Sequence, residues 1–580
     1  VSDRLGPARN LAGRLARNLP GPRGAAAIGL ARDAKVLVTG HGQGSTNLEP
    51  GDPAVSPIAL IRARRALGRG DDEAALGLAD RILAEHPDSV AALAVRRTVM
   101  GHRGELTAAL EAIRAMRGLR DTSALEQDER DVAGRLRETD PHWLPRVAGR
   151  PRPVTASADG RVMHLLKESL PQRSNGYTIR SRYSLLAERE AGLDPFVVTA
   201  LGFPRSVGAS DWTAVETVDG IAHHRLDLGP AWPPRTPVDE VLTQTAWLAS
   251  RIGQRERPAI INAGSGNRGY DAALVGLALR EHLGIPLVYE ARSFLETTWT
   301  TDERLAETAE LTRRRDTAER RAMLAADGVI TIGEAMRDDL IGRGVPADRI
   351  SVVPNGVDPI AFAPLDPDPE LRRSYGLEGK AVVGYVSTMD VAREGQEILI
   401  EATARLVRAG RAVACLLVGD GERRPELEAL ARKAGIGGSV VFTGRVPHAD
   451  VRRLYPLIDV FVVPRIDDRA ARLVTPLKPF EAMAMGRPLV VADLPALLEI
   501  AAPDLRGLSF PTGDAEALAA VLGDLLDQPE LQTRLGEAGR AWVLAERTWT
   551  ANGPRYRSAY EAAQRTYHER AAGSAVLAAR

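Results

Sequence analysis

The sequence predicts an α/β fold: two Rossmann-like wound domains facing across a cleft, preceded by an α-helical domain. Three observations carry the prediction. Short apolar, β-branched runs alternate with helical periods from residue 161 onward, the pattern of parallel strands covered by helices. The runs fall into two series separated near 345–380. Ahead of them, a helical segment recurs at an offset of 34 residues.

Residues 1–51 read as a basic N-terminal extension. Arg4, Arg9, Arg14, Arg17, Arg23, Arg32 and Lys35 stand there against Asp3 and Asp33, and Leu11, Leu15 and Leu19 share one face of a helix. Two readings are open for it: a frayed basic tail, and a segment that adsorbs weakly to anionic lipid. Residues 52–145 read as a helical domain. GDDEAAL at 70–76 returns as GELTAAL at 104–110, and Pro87 falls where a helix pair turns. The pattern resembles a tetratricopeptide repeat (TPR), with small Ala75 and Ala109 permitting close helix packing. Two uses are open: a surface for a protein partner or self-association, and a cap on the domain that follows.

PRVAGRPRPVT at 145–155 is a proline-rich hinge. The first wound domain is expected over 156–345, with strands in RVMHLL, PFVVTAL, PAIINA, IPLVYEA, GVITIG and ISVVPNG. The second is expected over 346–548, with AVVGYVS, AVACLLVGDG, SVVFTGRV, DVFVVPR and RPLVVAD. Residues 549–580 read as a helix crossing back to the first domain. Ligands of such sheets bind beyond the C-terminal ends of the strands.

Composition narrows the function classes. Lys and Arg total 76 and Asp and Glu total 76, so no whole-protein field selects nucleic acid. The single cysteine, Cys415, lies in the apolar run AVACLLVG and reads as a buried structural thiol suited to a reducing cytosol. No apolar run reaches the roughly 18–20 residues of a membrane span. The expected location is therefore the cytoplasm, with the basic tail suited to peripheral contact on the inner face of the membrane.

In order, residues 350–500 contain SVVPNGVD, VGYVS, LLVGDGERRPELEALA, VVFTGRVPHADVRRLY, DVFVVPR and TPLKPFEAMAMGRPLVVADL. That succession resembles the C-terminal half of a retaining GT-B glycosyltransferase of family 4. SLPQRSNGYTIRS at 169–181 and LGIPLVYEARSFLE at 283–296 are similar to one bacterial branch of the same family. The resemblance covers about 160–565 and leaves the helical front end outside it.

The physical chemistry agrees with that reading. A nucleotide-sugar diphosphate needs a helix dipole end and cations. Thr475, Pro476 and Leu477 lead into a helix expected over 477–485, Lys478 adds a point charge, and Arg465 can add a guanidinium fork. By resemblance Glu481 takes ribose hydroxyls, Arg445 and Val446 lie beside the base, and Arg393 occupies the region of a phosphate-binding basic residue. A surface i,i+3 pair is the bland alternative for Lys478 and Glu481. Gly421 and Glu422, in GDGE at 419–422, open a helix where glycine permits close approach to a ligand.

On the acceptor side, Asn175, Gly176 and Tyr177 form a loop able to approach donor phosphates or acceptor. Arg180 follows one turn later, and Glu290 and Arg292 stand at a strand end. The chain departs from the family at four places. Arg292 stands where several members have a histidine touching the transferred sugar, and NAG (Asn262, Ala263, Gly264) replaces a His-x-His. Ser387 replaces a usual arginine, and Leu473 a carboxylate that touches the donor sugar in many relatives. The resemblance thus implies transfer of a sugar from a UDP- or GDP-sugar to a hydroxyl acceptor, with no cofactor and no metal. Arg393, Lys478 and Arg292 are the residues expected to carry the chemistry. Closure about 345–350 is expected to assemble the site.

Two other readings compete. A scaffold on the same frame that binds nucleotide without turnover would account for the departures. GSGNRG at 264–269 follows a strand, and Glu290 comes about 20 residues on, which satisfies a dinucleotide fingerprint and suggests an NAD-dependent oxidoreductase. DPD at 366–368 lies among prolines and reads as a linker, and the adjacent His223 and His224 lack metal-ligand spacing.

Overall fold

The structure is a computed structural model and describes residues 57–578 apart from 159, 230–234 and 301. The basic extension expected over 1–51 lies outside the described residues. The chain divides into two compact units. One takes in residues up to Arg182, Asp194–Val329 and Ala563 onward; the other takes in Tyr183–Leu193 and Ile330–Ala562. The C-terminal helix, Asn552–Ala578, begins in the second unit and ends in the first.

The first unit opens with five helices: α1 (Pro57–Gly68), α2 (Asp72–Glu85), α3 (Val90–His102), α4 (Leu106–Leu119) and α5 (Ser123–Glu138). Local chemistry sets their starts. The side chains of Asp71, Ser89 and Thr122 accept from Ala74 N–H, Ala92 N–H and Leu125 N–H, satisfying donors that a helix leaves unpaired. Ala75 and Ala109, the two alanines of the repeat, are both buried, and Ala63, Ala66, Ala79 and Ala92 keep the first three helices in close contact.

These helices belong to the same compact unit as the first sheet. Leu106, Leu110, Ile113 and Val132 form one buried cluster with Leu311, each such side chain contributing about 1.5–3 kcal/mol. Thr107 hydrogen-bonds Glu310 through both its N–H (2.8 Å) and its hydroxyl (2.6 Å). A Cβ on Gly134 of α5 would lie 3.1 Å from Pro237 Cβ and closer still to Asp239, so only glycine lets α5 seat there.

The sheet of this unit has strands β1 (Arg161–Leu166), β2 (Asp194–Thr199), β3 (Val215–Val218), β4 (Ile221–His224), β5 (Ile260–Gly264), β6 (Leu287–Glu290) and β7 (Gly328–Thr331), in the order β3-β4-β2-β1-β5-β6-β7. β1 pairs parallel with both β2 and β5, so the order reverses between β1 and β5. The hairpin β3–β4 is not among the strands expected. Its strands have four residues each, and β3 is only partly buried, so the hydrophobic signal is weak. The turn Asp219-Gly220, with φ of 51° and 79°, is the legible cue.

The second unit holds β8 (Ile350–Val352) and a parallel sheet of β9 (Ala381–Val386), β10 (Val413–Val418), β11 (Val440–Phe442), β12 (Val460–Val463), β13 (Leu489–Ala492) and β14 (Leu508–Phe510). Its order is β11-β10-β9-β12-β13-β14. β9 has β10 on one side and β12 on the other, which places the reversal of strand order between β9 and β12. Cys415, in β10, is fully buried, and burial pushes its thiol up to about 12. Asp368 of the DPD segment caps a short helix by accepting from Glu370 and Leu371 N–H. β14 is also missing from the strands expected, because only Leu508 and Phe510 mark it.

Candidate active site

In the first unit the residues of interest gather at the C-terminal ends of β1, β5 and β6, beside the reversal of strand order. Helix α6 (Gly176–Glu190) starts there. Asn175 caps it: its side-chain oxygen accepts from Thr178 N–H at 3.0 Å, and its amide donates to Glu168 at 2.7 Å. Gly176 is exposed and Tyr177 half-buried. Arg180, one turn into α6, is buried and donates to Glu290 Oε1 at 2.9 Å.

Glu290 is fully buried at the end of β6 and also accepts from Arg292 at 3.0 Å. Burial opposes its charge, but Arg292 and Arg180 more than offset this and hold the carboxyl well below the usual range. Arg292 further donates to Ser181 Oγ at 2.6 Å, and its backbone N–H donates to Ser265 Oγ at 2.9 Å. Asn262 lies 3.4 Å from the other Glu290 oxygen. Arg180, from a helix start, and Glu290 and Arg292, from a strand end, therefore form one buried ion-pair cluster.

Lys167 is not among the residues expected. It follows β1 directly, with Nζ 4.7 Å from the centre of the Tyr177 ring, and Arg292 Cζ lies 4.9 Å from the same centre. Burial pushes the Tyr177 hydroxyl up to about 12. The available cue is a lysine placed at the C-terminal end of the first strand.

The GSGNRG loop does not fit a dinucleotide. A Cβ at Gly266 would lie 2.7 Å from Asp271 Cβ, and one at Gly269 would lie 2.9 Å from a Glu319 carboxylate oxygen. Acidic side chains occupy the approach that a pyrophosphate would need. Glu290, the acid spaced to complete the fingerprint, is engaged by two arginines. The oxidoreductase reading is therefore set aside. The loop instead serves a buried network: Glu138, at the end of α5, lies 3.1 Å from Arg268, which is 3.0 Å from Asp271.

In the second unit the residues gather beyond β9 and β12. The short helix α7 (Lys478–Ala484) carries Glu481 in its first turn, and no side chain caps its start. Glu481 is buried and accepts from Tyr455 OH at 2.6 Å, while Lys478 Nζ lies 3.1 and 3.0 Å from its two oxygens. The i,i+3 pair thus forms, with its acidic member in the interior. Thr475 is buried: its hydroxyl donates to the Ile332 carbonyl at 3.3 Å, and its own carbonyl accepts from Asn355 at 2.8 Å. Those bonds hold the loop through Pro476 and Leu477, both partly exposed. Leu473 ends the preceding helical turn, Arg469–Leu473.

Arg465 is not a solitary cation. It is buried, donates to Glu394 at 3.0 Å and to the Val474 carbonyl at 3.2 Å, and so ties the end of β12 to the AREG turn. Glu394 also accepts from the Tyr385 hydroxyl. Burial opposes the charge on Glu394, and Arg465 holds the carboxyl below its usual range. Arg393, on the same turn, keeps a 40% exposed side chain.

The glycines of GDGE meet a close backbone approach within the fold. A Cβ on Gly419 would overlap the Ser387 carbonyl oxygen, and one on Gly421 would overlap the Met389 carbonyl. They admit the backbone of residues 387–389. Glu422 N–H donates to Asp390 at 3.1 Å. Arg445 is exposed and Val446 packs partly against the core. Among the described residues no group of three or more His, Cys, Asp and Glu is arranged to hold a metal ion. His223 is buried, and burial together with Arg225 pushes it down to about 3. Among the same residues no helix is long and apolar enough to cross a membrane.

Comparison with known proteins finds two family matches along the chain. Residues 176–356 match the glycosyl transferase 4-like domain family, and residues 380–528 match glycosyl transferases group 1. An alpha-D-kanosaminyltransferase of Streptomyces kanamyceticus is 29% identical over 247 residues, 42% of this chain and 62% of that protein. A GDP-mannose-dependent alpha-(1-6)-phosphatidylinositol monomannoside mannosyltransferase of Mycolicibacterium smegmatis is 32% identical over 247 residues, 41% of this chain and 63% of that protein. The chain thus spans about three fifths of the length of these relatives. Among solved structures, a sucrose-phosphate synthase from Thermosynechococcus elongatus superposes with a TM-score of 0.56 at 23% identity, covering 69% of this chain and 98% of that one. Anabaena HepE in complex with UDP-glucose gives 0.52 at 19%, covering 68% and 98%. At these identities the likeness is one of fold.

Proposed function

The chain belongs to the group 1 glycosyltransferases and has their GT-B fold, and from that premise we propose that it moves a sugar from a nucleotide-sugar to a hydroxyl acceptor. The observation that carries the reading is Glu481. A buried carboxylate held by Tyr455 and Lys478, next to the reversal of strand order, suits ribose hydroxyls, and the lysine beside it suits diphosphate. Names of the proteins it resembles include a GDP-mannose-dependent enzyme and a complex with UDP-glucose, so GDP- and UDP-sugars are the donors to try first.

Transfer proceeds with retention of configuration through an oxocarbenium-like state. The departing β-phosphate accepts the acceptor proton, so no side-chain base is assigned. Lys478, Arg393 and the backbone at 475–477 stabilise the charge that develops on phosphate. Arg465 acts at one remove, by holding Glu394 and the Val474 carbonyl. No step is assigned to a metal, and activity undiminished by a chelator is the corresponding expectation. The enzyme works in the cytoplasm, and the helical region adds a surface for a protein partner.

Incubation with UDP-, GDP- and dTDP-sugars, with alcohol and sugar acceptors supplied, tests the reading through release of nucleotide. Tight nucleotide binding with no release from any donor would instead establish the scaffold reading, which the leucine at 473 favours.

A further inference from the structure

Arg225 directly follows β4, and its guanidinium reaches three residues of a single loop. Its side chain is fully buried beside the Phe203 ring. Nη1 donates to Ser169 Oγ, and Nη2 donates to the Leu170 carbonyl at 3.0 Å and to Gln172 Oε1 at 3.2 Å. Nε donates at 2.7 Å to Oε2 of Glu216, on the adjoining strand β3. The Gln172 amide closes the circuit by donating to both Glu216 oxygens, at 2.8 and 3.0 Å. His223, also from the hairpin, places Nδ1 3.0 Å from Ser169 Oγ, so the serine hydroxyl is met by two side chains.

The hairpin β3–β4 adds little to the apolar core, because β3 is only partly buried and each strand has four residues. Its distinctive contribution is this polar grip. Burying a guanidinium is costly unless its donors are engaged, and Arg225 engages them on Ser169, Leu170, Gln172 and Glu216. Burial lowers its proton affinity, and Glu216 acts in the opposite sense. A satisfied buried network of this kind is rigid, and removing one member loosens the others. The segment so held joins β1 to α6 and leads into Asn175, Gly176 and Tyr177.

We propose that Arg225 is a positioning residue for the transfer reaction. Together with Glu216 it sets the conformation of residues 169–175, and through them the place of Asn175, Gly176 and Tyr177 at the start of α6. It acts through that loop and is assigned no contact with substrate. The assignment rests on the sugar-transfer reading for what the loop does; the grip itself is read from the hairpin.

Two variants of the full-length chain test it. Arg225→Lys keeps the charge but loses the planar fork, so it cannot reach Ser169, Leu170 and Gln172 together. Gln172→Met, at a half-buried position, removes one strut and keeps the guanidinium. Amide hydrogen exchange over 167–178 is compared with that of β10 in the second sheet, and kcat and donor KM are measured on the same samples. In Arg225→Lys, exchange over 167–178 is expected to rise by about tenfold or more, with β10 unchanged. Its kcat is expected to fall by about tenfold or more with donor KM within about twofold, since a loosened loop misplaces the reacting groups. Gln172→Met shifts both readouts in the same direction by about threefold, and carries the test should Arg225→Lys not fold. Unchanged exchange over 167–178 in a folded variant overturns the proposal. A loosened loop with wild-type kcat also overturns it, because Arg225 is then structural only. Exchange needs no turnover, so failure of the grip and failure of the sugar-transfer reading are separate results.

Discussion

The ammonium of Lys478 sits 3.0 Å from the carboxylate of Glu481, one turn along the same short helix. Lys478 is 29% exposed and Glu481 9%, so the pair runs from the surface inward. The lysine thereby does two things at once: it neutralises a buried acid and presents a cation beside the 475–477 loop.

Replacing Lys478 by Ala is expected to lower turnover by about 10²–10³ and to weaken UDP or GDP binding, because the developing phosphate charge loses its nearest ammonium. Steady-state rates with calorimetric nucleotide binding check this. Donor affinity left unchanged by the substitution would sink the assignment.

Glu290→Gln is expected to destabilise the protein by about 3–5 kcal/mol, since Arg180 and Arg292 would lose the carboxylate they share while staying buried. The wild-type contribution also has a pH window. The folded carboxyl titrates well below its unfolded value of about 4.3, so its stabilisation is present above that pH. It is lost as pH falls toward the folded value. The gap in urea midpoint between wild type and variant should therefore narrow from pH 7 to pH 3.

Glu138 behaves in the opposite sense. Burial pushes its carboxyl up to about 7, with Arg268, Arg135 and Arg315 pulling down and Asp271 pushing further up. A raised folded value means that the native state holds the proton between about pH 4.3 and 7 while the unfolded chain releases it. Stability therefore declines as pH rises through that interval. Glu138→Gln is expected to remove the decline, read as a flatter urea midpoint between pH 5 and pH 8.

At Gly395 φ is 67°, and an added Cβ would overlap the Pro464 carbonyl oxygen. Backbone cannot yield to that extent, so Gly395→Ala is expected to cost about 3 kcal/mol or more. It should also weaken nucleotide binding by displacing Arg393 and the Glu394–Arg465 pair. Thermal unfolding and UDP titration of the variant are the measurements.

Much of the architecture is legible because strands in a buried parallel sheet are nearly continuous apolar runs. RVMHLL and AVACLLVG announce themselves by composition alone. The hairpin β3–β4 and the three-residue β14 do not, because short or half-exposed strands carry little hydrophobic signal. The candidate site is legible to the level of residue type and strand end. Glu481 and Lys478 fall within one turn of each other, and Arg180, Glu290 and Arg292 fall at a helix start and a strand end.

Partnership is not legible in the same way. Glu290 and the glycines of GSGNRG meet a dinucleotide fingerprint in spacing, yet Asp271 and Glu319 fill the approach to Gly266 and Gly269, and Arg180 and Arg292 engage Glu290. Glu319 and Arg180 lie far from the motif in the chain, so no local pattern could assign them to it.

By itself, the sequence determined the class of fold, the family, and the helical turn that carries Lys478 and Glu481, because periodicity and short-range spacing are local properties. The tertiary structure alone decided which charges engage one another. Arg465 is held by Glu394, 71 residues away in the chain, and Arg180 by Glu290, 110 residues away. Charge pairing depends on distances of a few ångströms between groups remote in sequence, and only the packed fold sets those distances.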